Sequence, residues 1–348
     1  MMHKVRVCVA WSCLLFAGNS FLHAVDKISF IDMASRAARQ ARLIGSEGKP
    51  FYLKASIVET TDPDSDLKGE IEEVWVSPQK WRRTITTPTF SQTLIVNGDR
   101  ISEINTGEYF PFWLRELATA IVDPLPMFDE KTAEAKLFKA QIEKPMPGNN
   151  RNTCAQFQAF TGVAPAQNEL IEAFCFEGDY GFIALVSTPG FQAQFKRHQA
   201  FGKKWIARTI TLDPDPGTTI EAKVLELSEF SSKEENEKLF AIDHPTPEGE
   251  QLKSVRLSEP ELRKLLAKSP DIVWPAIESG KTSGVLSVYV SVDRTGKVRE
   301  VWPLRSDNTD LDDSVREQVR KWEFKQGTVN GVSVQVEGIL TFSFQDGK

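Results

Sequence analysis

Two hydrophobic periodicities alternate along the chain. Apolar residues recur every three to four positions over residues 28–43, which predicts an amphipathic helix. From Phe51 the period changes to two, and this alternation predicts a strand over residues 51–57. Similar patterns, with a hairpin signal at Asn97-Gly98, predict an antiparallel meander. Its further strands are predicted at residues 69–76, 81–86, 90–96 and 100–105.

A helical region interrupts the strand pattern in the middle of the chain. The aromatic-rich residues 109–113 precede a helical pattern over residues 114–122, and a second helical pattern covers residues 130–143. Strand patterns then resume, so residues 51–230 are predicted to hold about ten strands with two inserted helices. The later strands are predicted at residues 154–160, 170–176, 181–187, 191–201, 205–212 and 218–230.

The last third of the chain begins with a polar segment rich in Glu, Lys and Pro, which predicts a linker. Ser258 and Glu261 then form a capping-box signal for a short helix. A strand, a hairpin turn at Gly296, a second strand, a helix from Leu311 and a final strand over residues 334–344 follow.

The N-terminus has the pattern of an export signal. Lys4 and Arg6 precede an apolar run over residues 7–18, and Ala24 is a suitable cleavage residue. The apolar run is short for a hydrocarbon layer of ~30 Å, so we expect cleavage and a periplasmic protein, with a retained anchor as the alternative. The predicted division is a signal at residues 1–24, a β-rich domain at 25–230, a linker at 231–257 and an α+β domain at 258–348.

Net charge bears on the kind of partner, and the cysteines and histidines bear on a disulfide and on metal binding. The formal net charge is −6, which argues against nucleic acid as a partner because phosphate binding needs a basic surface. Cleavage leaves Cys154 and Cys175, which an oxidising compartment favours as a disulfide; two buried free thiols are the alternative. With His198 and His244 as the only histidines of the mature chain, we predict no metal site.

The sequence offers no motif that supports catalysis. It contains no His-Glu-x-x-His, Gly-x-Ser-x-Gly or Gly-x-Gly-x-x-Gly pattern. Gly280-Lys281-Thr282 resembles the end of a phosphate-binding loop, but Pro275 stands where that loop needs its first glycine. We therefore predict no catalytic residues and no cofactor, and expect a binding protein rather than an enzyme.

The C-terminal pattern resembles the C-terminal domain of the TonB energy transducers, over residues ~270–346. The chain departs from that family at Lys325-Gln326, where proline is usual, and at Ser314-Val315. It also has a β-rich domain where a transducer has a membrane helix and a proline-rich spacer. The residues that carry the resemblance are Pro275, Gly284, Asp293, Gly296, Val298, Leu311, Asp312, Trp322, Glu323, Phe324, Asn330, Gly331, Val334 and Leu340 to Phe344.

This resemblance implies that the final strand receives an extended peptide from an envelope protein or outer-membrane receptor. Such strand addition uses unpaired backbone groups at a sheet edge. The implied docking residues are Val334, Val336, Ile339, Thr341 and Phe342.

Residues 25–230 resemble the half-barrel of periplasmic lipoprotein carriers of the LolA type. Residues 51–55, 73–76, 80–82 and 94–98 carry this resemblance. It implies an α+β fold with a curved antiparallel half-barrel and inserted helices, and a concave face that shelters a lipid or acyl group. Tyr109, Phe110, Phe112 and Trp113 would then line the mouth of an apolar cavity; ordinary core packing is the alternative for these four residues.

The leading hypothesis is therefore a periplasmic adaptor with an acyl-binding half-barrel and a peptide-docking C-terminal domain. One alternative is a component of energy-coupled outer-membrane transport with residues 5–24 retained as an anchor. Another is an enzyme whose scattered site has no sequence signature.

Overall fold

The structure is a computed structural model, and its described residues form two sheets. The predicted signal at residues 1–24 lies outside the residues that it describes. No described helix is long and apolar enough to cross a membrane. The described residues are 32–45, 48–62, 64–125, 141–143, 152–158, 171–177, 181–215, 217–231, 234–267, 271–277 and 280–345.

Among the described residues, twelve antiparallel strands form the N-terminal sheet, an open curved half-barrel with the order β5-β4-β3-β2-β1-β12-β11-β10-β9-β8-β7-β6. Two meanders therefore meet where the first strand pairs with the twelfth. The strands are β1 (Phe51–Glu59), β2 (Gly69–Ser77), β3 (Lys80–Thr86), β4 (Ser91–Asn97), β5 (Arg100–Asn105), β6 (Gln141–Glu143), β7 (Asn152–Gln158), β8 (Ile171–Glu177), β9 (Phe182–Thr188), β10 (Phe191–Phe201), β11 (Lys204–Asp215) and β12 (Thr218–Glu229).

The inner face of the half-barrel carries the N-terminal core. On β1, Phe51, Leu53, Ala55 and Ile57 are all buried and alternate with more exposed positions, as the period-two pattern predicted. Helix α1 (residues 32–41) and helix α2 (Phe112–Val122) pack against this face. The fold class expected from the sequence is thereby confirmed.

The prediction of a second helix over residues 130–143 is wrong for its last three residues. Residues 141–143 form β6, which pairs with β7 through Gln141↔Gln156 and Glu143↔Cys154. A long-range strand partner overrides the helical period here. Residues 130–140 lie outside the described part of the chain, as do residues 28–31 of the first predicted helix.

The C-terminal sheet has the order β13-β17-β14-β15, with β16 paired to β17. Its helix-bearing face encloses a second core that includes Val288, Val290, Val315 and Trp322. Asn330 and Gly331 both have positive φ, as the two-residue hairpin turn between β16 and β17 requires. The elements are β13 (Ser254–Arg256), α3 (Glu259–Lys264), β14 (Ser283–Val292), β15 (Val298–Ser306), α4 (Asp312–Val319), β16 (Gly327–Val329) and β17 (Val332–Gln345).

The predicted linker is packed against the half-barrel. A 3-10 helix at Glu234–Phe240 places the buried Phe240 near β3, where the ammonium of Lys80 lies 5.2 Å from its ring centre. Further along, the backbone N–H of Thr246 donates to the carbonyl of Ile101 at 2.8 Å. Thr246 therefore extends hydrogen bonding beyond the edge strand β5 and fixes the path toward the second sheet.

Cys154 and Cys175 form a disulfide, which confirms the prediction from the sequence. The two residues lie directly opposite each other on β7 and β8. The cross-link closes a loop of sequence separation 21.

Replacing both cysteines with serine should destabilise the protein. In the chain-entropy account, losing a loop closure of this length costs about 3 kcal/mol. Urea unfolding of the oxidised wild type and the double variant measures the difference. Reduced wild type is the matched control, and equal unfolding midpoints for oxidised and reduced protein would contradict a stabilising bridge.

Candidate functional site: the interface between half-barrel and C-terminal sheet

An aromatic cluster seats the C-terminal sheet on the half-barrel. Tyr289 of β14 is fully buried, and its ring centre lies 4.8 Å from that of Phe112 at the start of α2. Trp302 of β15 lies 5.0 Å from the same Phe112 ring. Gly190, in the β9–β10 turn, has a φ of +82°, and a Cβ there would approach the Tyr289 ring to 2.8 Å. The turn therefore needs glycine both for its backbone and for the close approach of Tyr289.

Glu300 of β15 caps helix α2 from the other domain. The residue before the helix is Pro111, whose side chain cannot accept a hydrogen bond. Glu300 Oε1 instead accepts from the Phe112 N–H at 2.9 Å and from the Tyr109 hydroxyl at 2.6 Å. A carboxylate at the positive end of a helix is favourable, so this contact joins the domains while it completes α2.

Burial sets the ionisation of Glu300. Loss of solvent raises the pKa of this carboxyl from 4.5 to about 7, although the hydrogen bonds from Tyr109, Phe112 and Trp113 lower it. The native state thus binds a proton that the unfolded chain releases near pH 4.5.

We expect stability to fall between about pH 4.5 and pH 7 because the raised native pKa favours folding only while Glu300 is protonated. The full change in pKa corresponds to ~3 kcal/mol. Glu300→Gln should remove this contribution and reduce the difference in unfolding free energy between pH 5 and pH 8, while the part due to the buried Glu73, whose pKa is also raised to about 7, remains. An identical pH dependence in wild type and variant would contradict the assignment.

A set of polar contacts around the buried Glu337 and Tyr289 ties β13 to the same interface. Arg115 of α2 donates to Glu337 Oε2 of β17 at 2.6 Å, and Ser254 Oγ of β13 donates to the same oxygen at 3.1 Å. Arg256 of β13 donates to the Tyr289 hydroxyl at 3.2 Å and lies 5.5 Å from the ring centre. Helix α2 and β13 are therefore both bound to Glu337 of β17, α2 by an ion pair and β13 by a hydrogen bond.

The side-chain amide of Gln335 on β17 makes two hydrogen bonds with the backbone of Phe110, one as acceptor and one as donor. Its Oε1 accepts from the Phe110 N–H at 2.7 Å, and its Nε2 donates to the Phe110 carbonyl at 3.1 Å. The amide thus satisfies buried backbone groups just before α2.

The four aromatic residues predicted at a cavity mouth lie at this interface. Phe110 and Phe112 are buried, and Tyr109 and Trp113 are partly buried. Tyr109 and Phe110 contact Glu300 and Gln335 of the C-terminal sheet, whereas the Phe110 ring also stacks on Phe90 of the half-barrel at 4.7 Å between ring centres. A role in lining an apolar cavity stays a prediction.

The predicted docking strand is β17, and the structure places its side chains in packed surroundings. Val334, Val336 and Phe342 belong to the second core, whereas Ile339 packs against the half-barrel core. The Thr341 hydroxyl lies 3.1 Å from Ser287 Oγ. Docking through this strand would therefore depend on backbone groups at its edge.

The chain's own groups cover that edge. The N–H of Gln335 donates to Lys253 O at 2.8 Å, and the N–H of Leu257 donates to Glu337 O at 2.8 Å. Farther along, Glu259 Oε1 accepts from the Thr341 N–H at 2.9 Å, and Arg263 Nη2 donates to Thr341 O at 2.7 Å.

Sequence reasoning missed Glu300, Gln335, Glu337 and Arg115. The signal was present on β17, where Gln335 and Glu337 alternate with Val334 and Val336. Such alternation indicates a second buried face only when a partner surface is known. Among the described residues, no cluster of three His, Cys, Asp or Glu side chains could hold a metal ion.

Solved structures similar to this chain have low sequence identity to it, and no curated protein sequence matches. A LolA superfamily protein from Nitrosomonas europaea is 8% identical, with a TM-score of 0.37, over 60% of this chain and 98% of that one. A putative outer membrane lipoprotein-sorting protein domain from Vibrio parahaemolyticus is 11% identical, with a TM-score of 0.34, over 60% and 94%. A DUF1329 family protein from Desulfovibrio piger is 10% identical, with a TM-score of 0.35, over 62% and 96%.

The family comparison bears on the C-terminal part of the chain. The matched residues include β14, β15, α4 and β17, which are the elements that carry the resemblance in the sequence. Residues 276–345 match the family described as Gram-negative bacterial TonB protein C-terminal, which confirms that resemblance.

Proposed function

We propose that this protein is a non-enzymatic adaptor of the Gram-negative envelope. In this proposal the half-barrel shelters an acyl-bearing ligand, and the C-terminal domain docks an extended peptide of an envelope partner. The TonB-type match over residues 276–345 supports the envelope setting and the docking role. The apolar inner face of the curved sheet supports the ligand role.

The observation that carries the proposal is the sharing of helix α2 by both domains. Its first turn contacts Tyr289 and Glu300 of the C-terminal sheet. Its later residues Leu117 and Ile121 are buried in the half-barrel core, and Leu43 N–H donates to Val122 O at 2.8 Å. A ligand that shifts α2 would therefore alter the interface and the network that holds β13, which gives an adaptor a physical route between its two sites.

Native mass spectrometry tests the ligand role. Protein exported through its own signal and purified without detergent should carry an acyl compound that organic extraction removes and added lipid restores. An unrelated periplasmic protein purified in the same way is the control. Preparations that carry no ligand and fail to bind any added acyl compound would overturn this half of the proposal.

The N-terminus of the mature protein tests the envelope setting. We propose cleavage after Ala24, which N-terminal sequencing of the purified protein would detect. Recovery of the intact chain from the membrane fraction would instead favour the anchored, energy-coupled alternative.

A further inference from the structure

A row of polar side chains crosses the apolar inner face of the half-barrel. The strand register places Glu73 of β2 between Leu53 of β1 and Arg83 of β3. Gln92 of β4 lies opposite Ile85, which is two residues after Arg83 on β3. Because directly opposed residues share a face, and Leu53 and Ile85 are fully buried, all three polar side chains belong to the inner face.

Each of these side chains has a buried polar atom without a partner. Glu73 Oε2, Arg83 Nε and Gln92 Oε1 make no hydrogen bond within the part of the chain that the structure describes. Glu73 and Gln92 are 4% and 3% exposed. Burial raises the pKa of Glu73 to about 7, against the lowering effect of Arg83. Unpaired buried polar atoms are costly and uncommon in native proteins.

Glu103 of β5 lies on the same face of the sheet, and its carboxylate oxygens have hydrogen-bond partners. Its Oε1 accepts from Gln92 Nε2 at 2.9 Å and from Asn105 Nδ2 at 3.1 Å, and both of its oxygens lie 3.2 Å from the Leu252 N–H. The bond to Glu103 orients the Gln92 amide and leaves its oxygen available. Arg83 is held beside Trp81, with 5.7 Å between its guanidinium carbon and the ring centre.

We propose that Glu73, Arg83 and Gln92 form a headgroup subsite for an uncharged acyl ligand with a hydroxyl-rich head, such as a glycerol ester. The inference rests on the proposed acyl-binding role of the half-barrel. Glu73 and Gln92 offer acceptors, and Arg83 offers a donor. Glycerol hydroxyls can both donate and accept. A methyl ester and a fatty-acid carboxylate both lack a hydroxyl donor for the oxygens of Glu73 and Gln92.

Three probes with one acyl chain test the subsite on the full-length delipidated protein. We expect 1-monooleoylglycerol to bind about tenfold more tightly than methyl oleate, with oleate also weaker, a difference typical of one or two hydrogen bonds. Gln92→Leu should abolish the preference. Gln192→Leu, which changes an exposed glutamine of β10, is the matched control and should keep it.

The outcomes separate the subsite from the wider proposal. Equal affinities for the three probes, or a preference for oleate, would overturn the subsite and leave the acyl-binding role intact. Failure of all three to bind would overturn both. If Gln92→Leu does not fold, as judged by circular dichroism, Glu73→Leu, which removes the other acceptor, replaces it, and an unchanged preference in the folded variant would refute the assignment.

Discussion

Replacing Tyr289 with alanine is expected to lower the free energy of unfolding by about 3–5 kcal/mol, the range found for truncating a buried aromatic side chain. Tyr289 is fully buried against Phe112, with Trp302 5.8 Å from its own ring centre. Its removal leaves a cavity between rigid elements, because Gly190 and the start of α2 cannot both move into the space. Urea unfolding followed by tryptophan fluorescence measures the loss.

Tyr289→Phe is the matched control because it keeps the ring and removes only the hydroxyl that accepts from Arg256. Its expected cost is about 1 kcal/mol. Since the interface also holds the connection between the domains, limited proteolysis should cleave Tyr289→Ala faster within residues 231–257. Equal stability and equal cleavage for the alanine variant and the wild type would show that the interface does not depend on this side chain.

The longer strands of both sheets could be predicted from the sequence because their signals are local, whereas the three-residue strands β6, β13 and β16 were not predicted. The period-two pattern from Phe51 corresponds to β1, and the hairpin turn predicted at Gly296 lies between β14 and β15, where Gly296 has positive φ. The capping interaction at α3 also follows from two nearby residues: Glu261 Oε2 accepts from the Ser258 N–H at 2.9 Å. Each of these features depends on residues close together in the chain.

The candidate site could not be predicted because its contacts join distant segments. Glu300 caps a helix 188 residues away, and Gln335 pairs with Phe110 across 225 residues. Neither pattern appears in any local window. The strand at residues 141–143 was mistaken for helix for the same reason, since only its pairing with β7 defines it.

The edge of β17 leads to a second prediction with a large expected effect. If a partner peptide adds to this edge, it must use the Thr341 N–H and carbonyl, which Glu259 and Arg263 now engage. Replacing both charged residues with alanine should therefore strengthen binding of an extended peptide from an outer-membrane receptor. Thr341→Pro should abolish binding in the same background, because proline removes the donor.

Thr341→Val separates the backbone from the side chain. Valine keeps the N–H and loses only the hydroxyl contact with Ser287, so peptide affinity should stay close to that of the parent. Fluorescence anisotropy with a labelled peptide measures all variants after circular dichroism has established that each is folded. Unchanged affinity in folded Thr341→Pro would place docking elsewhere on the domain. The outer side of β15 would then become the next edge to test, since β15 ends the sheet order and pairs only with β14 among the described strands.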